Sequence, residues 1–340
     1  MTIGELVTET ASTVPTSKGR EARVTLDIDS LSRLHRYEDP DLGFSESFAD
    51  VRLGPAESLA IVTLPRSDGD GAGLGFVVCP SLGVEQGHLR RLEALVSRTL
   101  TQHGFPVVRI RPNPPVGDGP CGAIDMTTRL REVEEAADLL RRVADVGELG
   151  LVGAMFGATV SALACERLGS SSLVLVEPVV RGRRYMRETL RRHAIAGLVT
   201  ELEDGGGSGA HRPQGELETR GWTSIRGLRL SRADFETISA VNLVEDVRSF
   251  RGRSLLVGVS PSGAAAPGLV GLADHLRALG GDTTVEVIED PLPVPFGEFS
   301  LAVEGPSRVD TRLNLDRRLA GLIASWAEHA RRPAPTAEAV

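Results

Sequence analysis

Leu149-Gly150-Leu151-Val152-Gly153-Ala154-Met155-Phe156-Gly157-Ala158-Thr159-Val160 is the stretch that decides the fold. An apolar run leads into Gly153-Ala154-Met155-Phe156-Gly157, and an alanine-rich helical stretch leads out of it. Glycines on either side of a central residue let a strand turn sharply into a helix, which is the G-x-S-x-G frame of a nucleophile elbow. The central residue here is Met155. The spacing therefore predicts the turn without the hydroxyl that would attack a carbonyl.

Working outward, residues 58–65, 74–80, 106–110 and 172–178 read as strands, and so do 254–259 and 283–288 after a gap. Helical patterns lie between them at 89–103, 127–146, 156–167 and 269–279, and a closing amphipathic helix covers 313–331. Strands of continuous apolar residues alternating with helices predict an α/β fold with a mostly parallel sheet covered on both faces. Residues 23–50 hold a short alternating stretch, 24–28, and a polar, helical-looking one. The rhythm breaks over 179–250. A basic helix at 183–193 is followed by a loop-like stretch at 203–221, an alternating hairpin at 222–230, and Ser231 placed to cap a helix. The predicted organisation is a disordered segment at 1–22, a core of 23–178 and 251–332, an insertion over 179–250 and a disordered tail at 333–340.

Composition limits the partners. The chain has 340 residues and a formal net charge of −8, with no basic run, which argues against nucleic acid. Lys18 is the only lysine, and the other basic residues are arginine. That uniformity reads as compositional bias, not as a row of anion sites. The three cysteines, Cys79, Cys121 and Cys165, are scattered without metal-ligand spacing. Neither a disulfide framework nor structural zinc is expected. No stretch has the length of a membrane span and the N-terminus lacks a signal pattern, so a cytoplasmic protein without membrane contact is expected.

At this point the chain resembles an α/β-hydrolase, with an insertion that would form a lid. It is more specifically similar to the exosortase-associated, serine-aminopeptidase-like subgroup. The stretches carrying that similarity are the elbow with Ala158-Thr159, Pro178-Val179-Val180-Arg181-Gly182-Arg183, Gly227-Leu228-Arg229-Leu230-Ser231, and the Pro80 loop followed by Glu85 and Arg90-Arg91. The resemblance implies a Ser-His-Asp triad, and its positions can be tested one by one. The nucleophile falls on Met155, whose thioether has no proton for a base to remove. The acid falls near Ser262, in a loop without a carboxylate. The histidine falls in Glu289-Asp290-Pro291-Leu292-Pro293-Val294-Pro295-Phe296, which has none. The expectation is a degenerate triad.

The resemblance also implies an oxyanion hole built from the backbone N–H of Phe156 and that of Ser81 or Leu82. Met155, Phe156, Tyr185, Met186 and Trp222 are candidate pocket lining; for Met155, plain core packing competes with that role. Glu177 and Asp290 are candidate bases at the sheet edge, with surface pairing to Arg181, Arg183 or Arg184 as the plainer alternative. Glu85 lies on the oxyanion side, and Asp125 reads as a helix cap. Cys79 is a conceivable displaced nucleophile, though a buried inert thiol is the simpler reading. The arginines of 181–192 suit either a solvated face or an acidic partner.

Three functions follow as expectations. The first is a triad-less binder of an acyl, peptide or carbonyl-bearing small molecule in a biosynthetic pathway. The second is a lyase-, isomerase- or epimerase-type enzyme using backbone donors. The third is an esterase- or peptidase-like hydrolase with a displaced nucleophile. No metal and no cofactor is implied. A pathway protein and a homodimer are left open as partners.

Overall fold

The computed structural model describes residues 37–39, 41–53, 56–66, 73–81, 83–112, 126–203, 213–225, 228–290 and 306–331. Its centre is the strand entering the elbow, β6 (Glu148–Ala154), with every residue after Glu148 buried. In chain order the preceding elements are β1 (Tyr37–Asp39), β2 (Phe44–Leu53), β3 (Ala56–Pro65), β4 (Leu74–Cys79), α1 (Gly83–Gln102), β5 (Val107–Pro112) and α2 (Met126–Ala144). After β6 come α3 (Phe156–Leu168), β7 (Ser172–Val176), α4 (Gly182–Glu203), α5 (Pro213–Arg220), β8 (Trp222–Ile225), β9 (Leu228–Ser231), α6 (Arg232–Ala240) and α7 (Leu243–Asp246). The chain then continues through β10 (Arg253–Ser260), α8 (Pro267–Ala278), β11 (Asp282–Glu289) and α9 (Pro306–Arg331).

Nine strands form one sheet in the order β1-β2-β3-β5-β4-β6-β7-β10-β11. From β5 to β11 every pairing is parallel. β1, β2 and β3 add an antiparallel margin. The predicted mostly parallel α/β sheet is therefore present, and the end of the 23–50 stretch, read as partly polar and helical-looking, runs into the strand 44–53. Its ten-residue register against β3 explains the difference: cross-strand pairing, not local propensity, decides strand formation.

Side chains alternate between the two faces of each strand. Val77, Val108, Leu151 and Leu256 join residues of α2, α3 and α8 in one cluster, including Val133, Leu140, Val160 and Leu272. Phe76, Val78, Val152 and Val257 face the other way, onto α1 and α9, where Leu89, Val96, Leu319 and Ile323 are buried. Each such side chain removed from water contributes about 1.5–3 kcal/mol before entropy is counted.

Two local readings shift. α1 starts at Gly83, before the predicted 89, and takes Glu85 into its first turn, where a carboxylate suits the helix dipole. Within the stretch read as loop, 213–220 is helical. The hairpin is formed, pairing Trp222 with Ser231. Ser231 caps α6 through a reciprocal capping box with Asp234.

The segment from α4 to α7 lies between adjacent strands β7 and β10, and its two ends are stitched together. Gly182 N–H donates to Val241 O at 2.9 Å, and Leu243 N–H donates to Val180 O at 3.0 Å. The expectations for 1–22, 24–28, Leu82, Cys121, Asp125, Gly227 and 333–340 fall outside the described residues. No described helix is long and apolar enough to cross a membrane.

Candidate functional site

The elbow is built as its glycines require. A Cβ on Gly157 would stand 2.6 Å from Cys79 O, and one on Gly153 would collide with Gly157 O. Only glycine lets β4, β6 and α3 approach this closely. Met155 sits at φ 53, ψ −122, a region that side-chain-bearing residues rarely occupy and that costs of order 1–3 kcal/mol. Its N–H donates to Val176 O at 2.8 Å, tying the turn to β7. The Met155 side chain is half-buried and packs against the cluster beneath α1 and α9.

Around this turn the structure gathers a group that the sequence reading did not join. Glu85, on α1, is buried beside the start of α3. Its Oε2 accepts from Ser81 Oγ at 2.7 Å and from Phe156 N–H at 3.4 Å. Its Oε1 accepts from Tyr185 Oη at 2.6 Å. The Phe156 and Tyr185 rings lie 5.9 Å apart, tilted by 31°. Burial pushes the Glu85 carboxyl up, opposed by the Tyr185, Ser81 and Phe156 hydrogen bonds and by Arg192. Burial and then the Glu85 charge push the Tyr185 phenol well above its ordinary range.

Ser81, Phe156 and Tyr185 are thus brought together, but neither Phe156 N–H nor Ser81 N–H is left open. The second faces Glu93, which is buried on α1. Desolvation raises the Glu93 carboxyl to about 7, against the pull of Arg109 and the Ser81 amide. Among the described residues, Glu93 Oε1 and Arg109 Nε find no hydrogen-bond partner. Met186 is 2% exposed and packs in the core cluster. A helix buries one side and leaves the other, and Met186 falls on the inner one. Trp222 lies in the hairpin under the Arg229 guanidinium, 4.7 Å from its ring centroid.

Glu177 directly follows β7, whose last residue, Val176, pairs with Ala154 before the elbow. It adopts φ 48, another strained backbone. Its carboxylate accepts from Val259 N–H and bridges to β10. Burial raises its carboxyl, countered by that amide. Asp290 is buried, and its electrostatic neighbour is Arg312 of α9, which also faces Asp316 and Arg91. Ser262 is exposed, its hydroxyl 3.0 Å from Ser260 Oγ.

Cys79 is buried and its thiol is pushed up to about 12 by desolvation, which removes the thiolate a displaced nucleophile would need. Ser161 donates to Gly157 O at 2.9 Å, a bond within its own helix. Among the described histidines, His103 contacts Glu328, His275 contacts Val247 O and His329 contacts Ser325 O, while His88 lies on α1 with Glu85 and His193 on α4 with Tyr185. In the basic helix, Arg184 and Arg192 both pair with Glu188. No described group of three His, Cys, Asp or Glu residues is placed to hold a metal ion.

No protein-family model matches the chain, and no curated protein matches it in sequence. Solved structures do resemble it. Est1E from Butyrivibrio proteoclasticus superposes with a TM-score of 0.53 at 12% identity, covering 84% of this chain and 98% of that one. A second Est1E structure, with ferulic acid bound, gives 0.52 at 12% identity over 81% and 98%. With its nine-stranded, mostly parallel sheet covered by helices on both faces, the chain has the α/β-hydrolase fold.

Proposed function

We propose that this protein binds a small carbonyl- or carboxylate-bearing molecule at the elbow and does not carry out Ser-His-Asp acyl transfer. The observation that carries the reading is Met155, held at φ 53 where the nucleophile of this fold would stand. A thioether there can neither be deprotonated nor form an ester with substrate. Support comes from the histidine-free segment after β11 and from the protonated state of Cys79. The ferulic acid bound to Est1E supports an aromatic carboxylic acid as one ligand class for this architecture. The insertion over 179–250, which supplies Tyr185, is proposed to act as the lid.

Two measurements test this. Purified protein is assayed on short p-nitrophenyl esters with and without a serine-directed phosphonate. Its melting temperature is then screened against carboxylic acids and their esters. The proposal expects no phosphonate-sensitive turnover and a saturable thermal shift with at least one ligand. Phosphonate-sensitive hydrolysis by the wild-type protein would overturn it.

A second reading has its own observation. Glu85, with its carboxyl raised, touches both a backbone donor and a phenol. Such a group can move a proton to or from a carbonyl compound, as in lyase or isomerase chemistry. Exchange of solvent deuterium into a bound carbonyl compound, lost in Glu85→Gln, would favour this reading over simple binding.

A further inference from the structure

Three donors from separate parts of the chain converge on one carboxylate. Phe156 N–H opens α3, Ser81 Oγ belongs to the segment after β4, and Tyr185 Oη comes from α4. Ser81 is fully buried. Burial raises the Glu85 carboxyl, and the Tyr185, Ser81 and Phe156 hydrogen bonds, with the positive potential of Arg192, offset part of that cost. The carboxylate that fills this arrangement belongs to the protein itself, 71 residues before Phe156.

We propose that Phe156 N–H, Ser81 O–H and Tyr185 O–H form a carboxylate receptor that Glu85 fills in cis, so that an external carboxylic acid binds by competing with Glu85. The proposal deepens the binding reading above by naming the ligand group and the three atoms that hold it. All three donors already bond Glu85 Oε1 or Oε2, and two ionised carboxylates at contact distance would repel strongly in a buried site. An incoming acid must therefore displace the Glu85 side chain. Its apparent affinity falls by the fraction of molecules in which Glu85 is in place. In return, an unliganded protein never leaves these donors buried and unpaired, which would cost more than a filled receptor.

Deletion of the occupant gives the test. Glu85→Ala removes a fragment with the shape and charge of acetate and leaves all three donors. Acetate is titrated against chloride at equal ionic strength, with melting temperature as the readout, on wild type, Glu85→Ala and Glu85→Gln. The expected result is a saturable rise of about 2 °C or more in Glu85→Ala. The apparent acetate affinity should be at least about tenfold tighter than in wild type. Glu85→Gln, whose amide still fills the space, should not respond. Adding Tyr185→Phe to Glu85→Ala should weaken acetate binding. A folded Glu85→Ala protein indifferent to acetate would overturn the proposal, as would equal affinity in wild type.

Should Glu85→Ala fail to fold, the Phe156 amide resonance of 15N-phenylalanine-labelled wild type replaces it. That resonance should titrate with a carboxyl above the ordinary glutamate range and move in Tyr185→Phe. A resonance blind to both changes would overturn the proposal. Ester hydrolysis by the wild type would sink the binding reading and leave the receptor standing. Absence of acetate rescue would do the reverse.

Discussion

Tyr185 donates its hydroxyl hydrogen to Glu85 Oε1 at 2.6 Å, joining the helix that opens the insertion to the first turn of α1 beside the elbow. Through this bond the insertion, the segment after β4 and the start of α3 share one buried carboxylate. The three elements thus meet at Glu85, next to the strained turn at Met155.

Restoring a hydroxyl at the elbow should not restore an esterase. Met155→Ser keeps the turn, yet the segment after β11 has no histidine to act as base. Its hydrolysis of p-nitrophenyl acetate should stay within about tenfold of the wild-type background, far below the roughly 10⁶ that a complete triad supplies. A rate approaching that of an ordinary esterase would mean that a base lies within reach.

The glycine frame should be intolerant where it touches β4. Gly157→Ala places a methyl 2.6 Å from Cys79 O and should lower unfolding stability by about 3 kcal/mol. Gly271→Ala, in α8 with open space around it, should instead gain about 0.5–1 kcal/mol from helix propensity. Urea denaturation of the two variants makes the comparison.

Acid and alkaline limbs of stability should be separable by two substitutions. Burial alone would raise the Glu166 carboxyl. The amides of Arg248, Ser249 and Phe250 outweigh it, and the net direction is down. Its contribution is therefore present above the ordinary carboxylate range and is lost as pH falls through the lowered value, so Glu166→Gln should flatten the acid limb. Glu93 has the opposite sign. Its folded value of about 7 lies above the ordinary 4.5, so the folded state keeps a proton that the unfolded chain releases. Stability should fall as pH rises across that window, by about 3 kcal/mol, and Glu93→Gln should remove the slope. Thermal or chemical denaturation at intervals from pH 2 to 8 reads both.

Cys79 and Cys165 should behave as core residues. Both are buried with thiols pushed up to about 12, chiefly by desolvation. Neither should react with a thiol reagent until the protein unfolds, as peptide mapping after timed labelling would measure. Rapid native labelling of Cys79 would reopen the displaced-nucleophile reading.

The sequence made the local features legible and hid the distant ones. Gly153 and Gly157 could be read because the turn needs them at fixed spacing, and the Ser231 cap because its partner, Asp234, is three residues away. β2 was hidden because it is held by its register with β3, from Phe44↔Pro65 to Leu53↔Ala56, and not by its own composition. The backbone donors were narrowed to Phe156 with Ser81 or Leu82, but what bonds them could not be read. Glu85 was noticed for its place in the chain. Its bonds to Phe156 and to Tyr185, 100 residues away, depend on how α1, α3 and α4 pack.

The most direct test of the claim that this elbow binds without acyl chemistry is intact-mass spectrometry of the wild-type protein after incubation with a fluorophosphonate. The account predicts an unmodified mass, because Met155 cannot be phosphonylated and Ser81 and Ser161 are buried and hydrogen-bonded. A stoichiometric adduct on a serine at the elbow would contradict it.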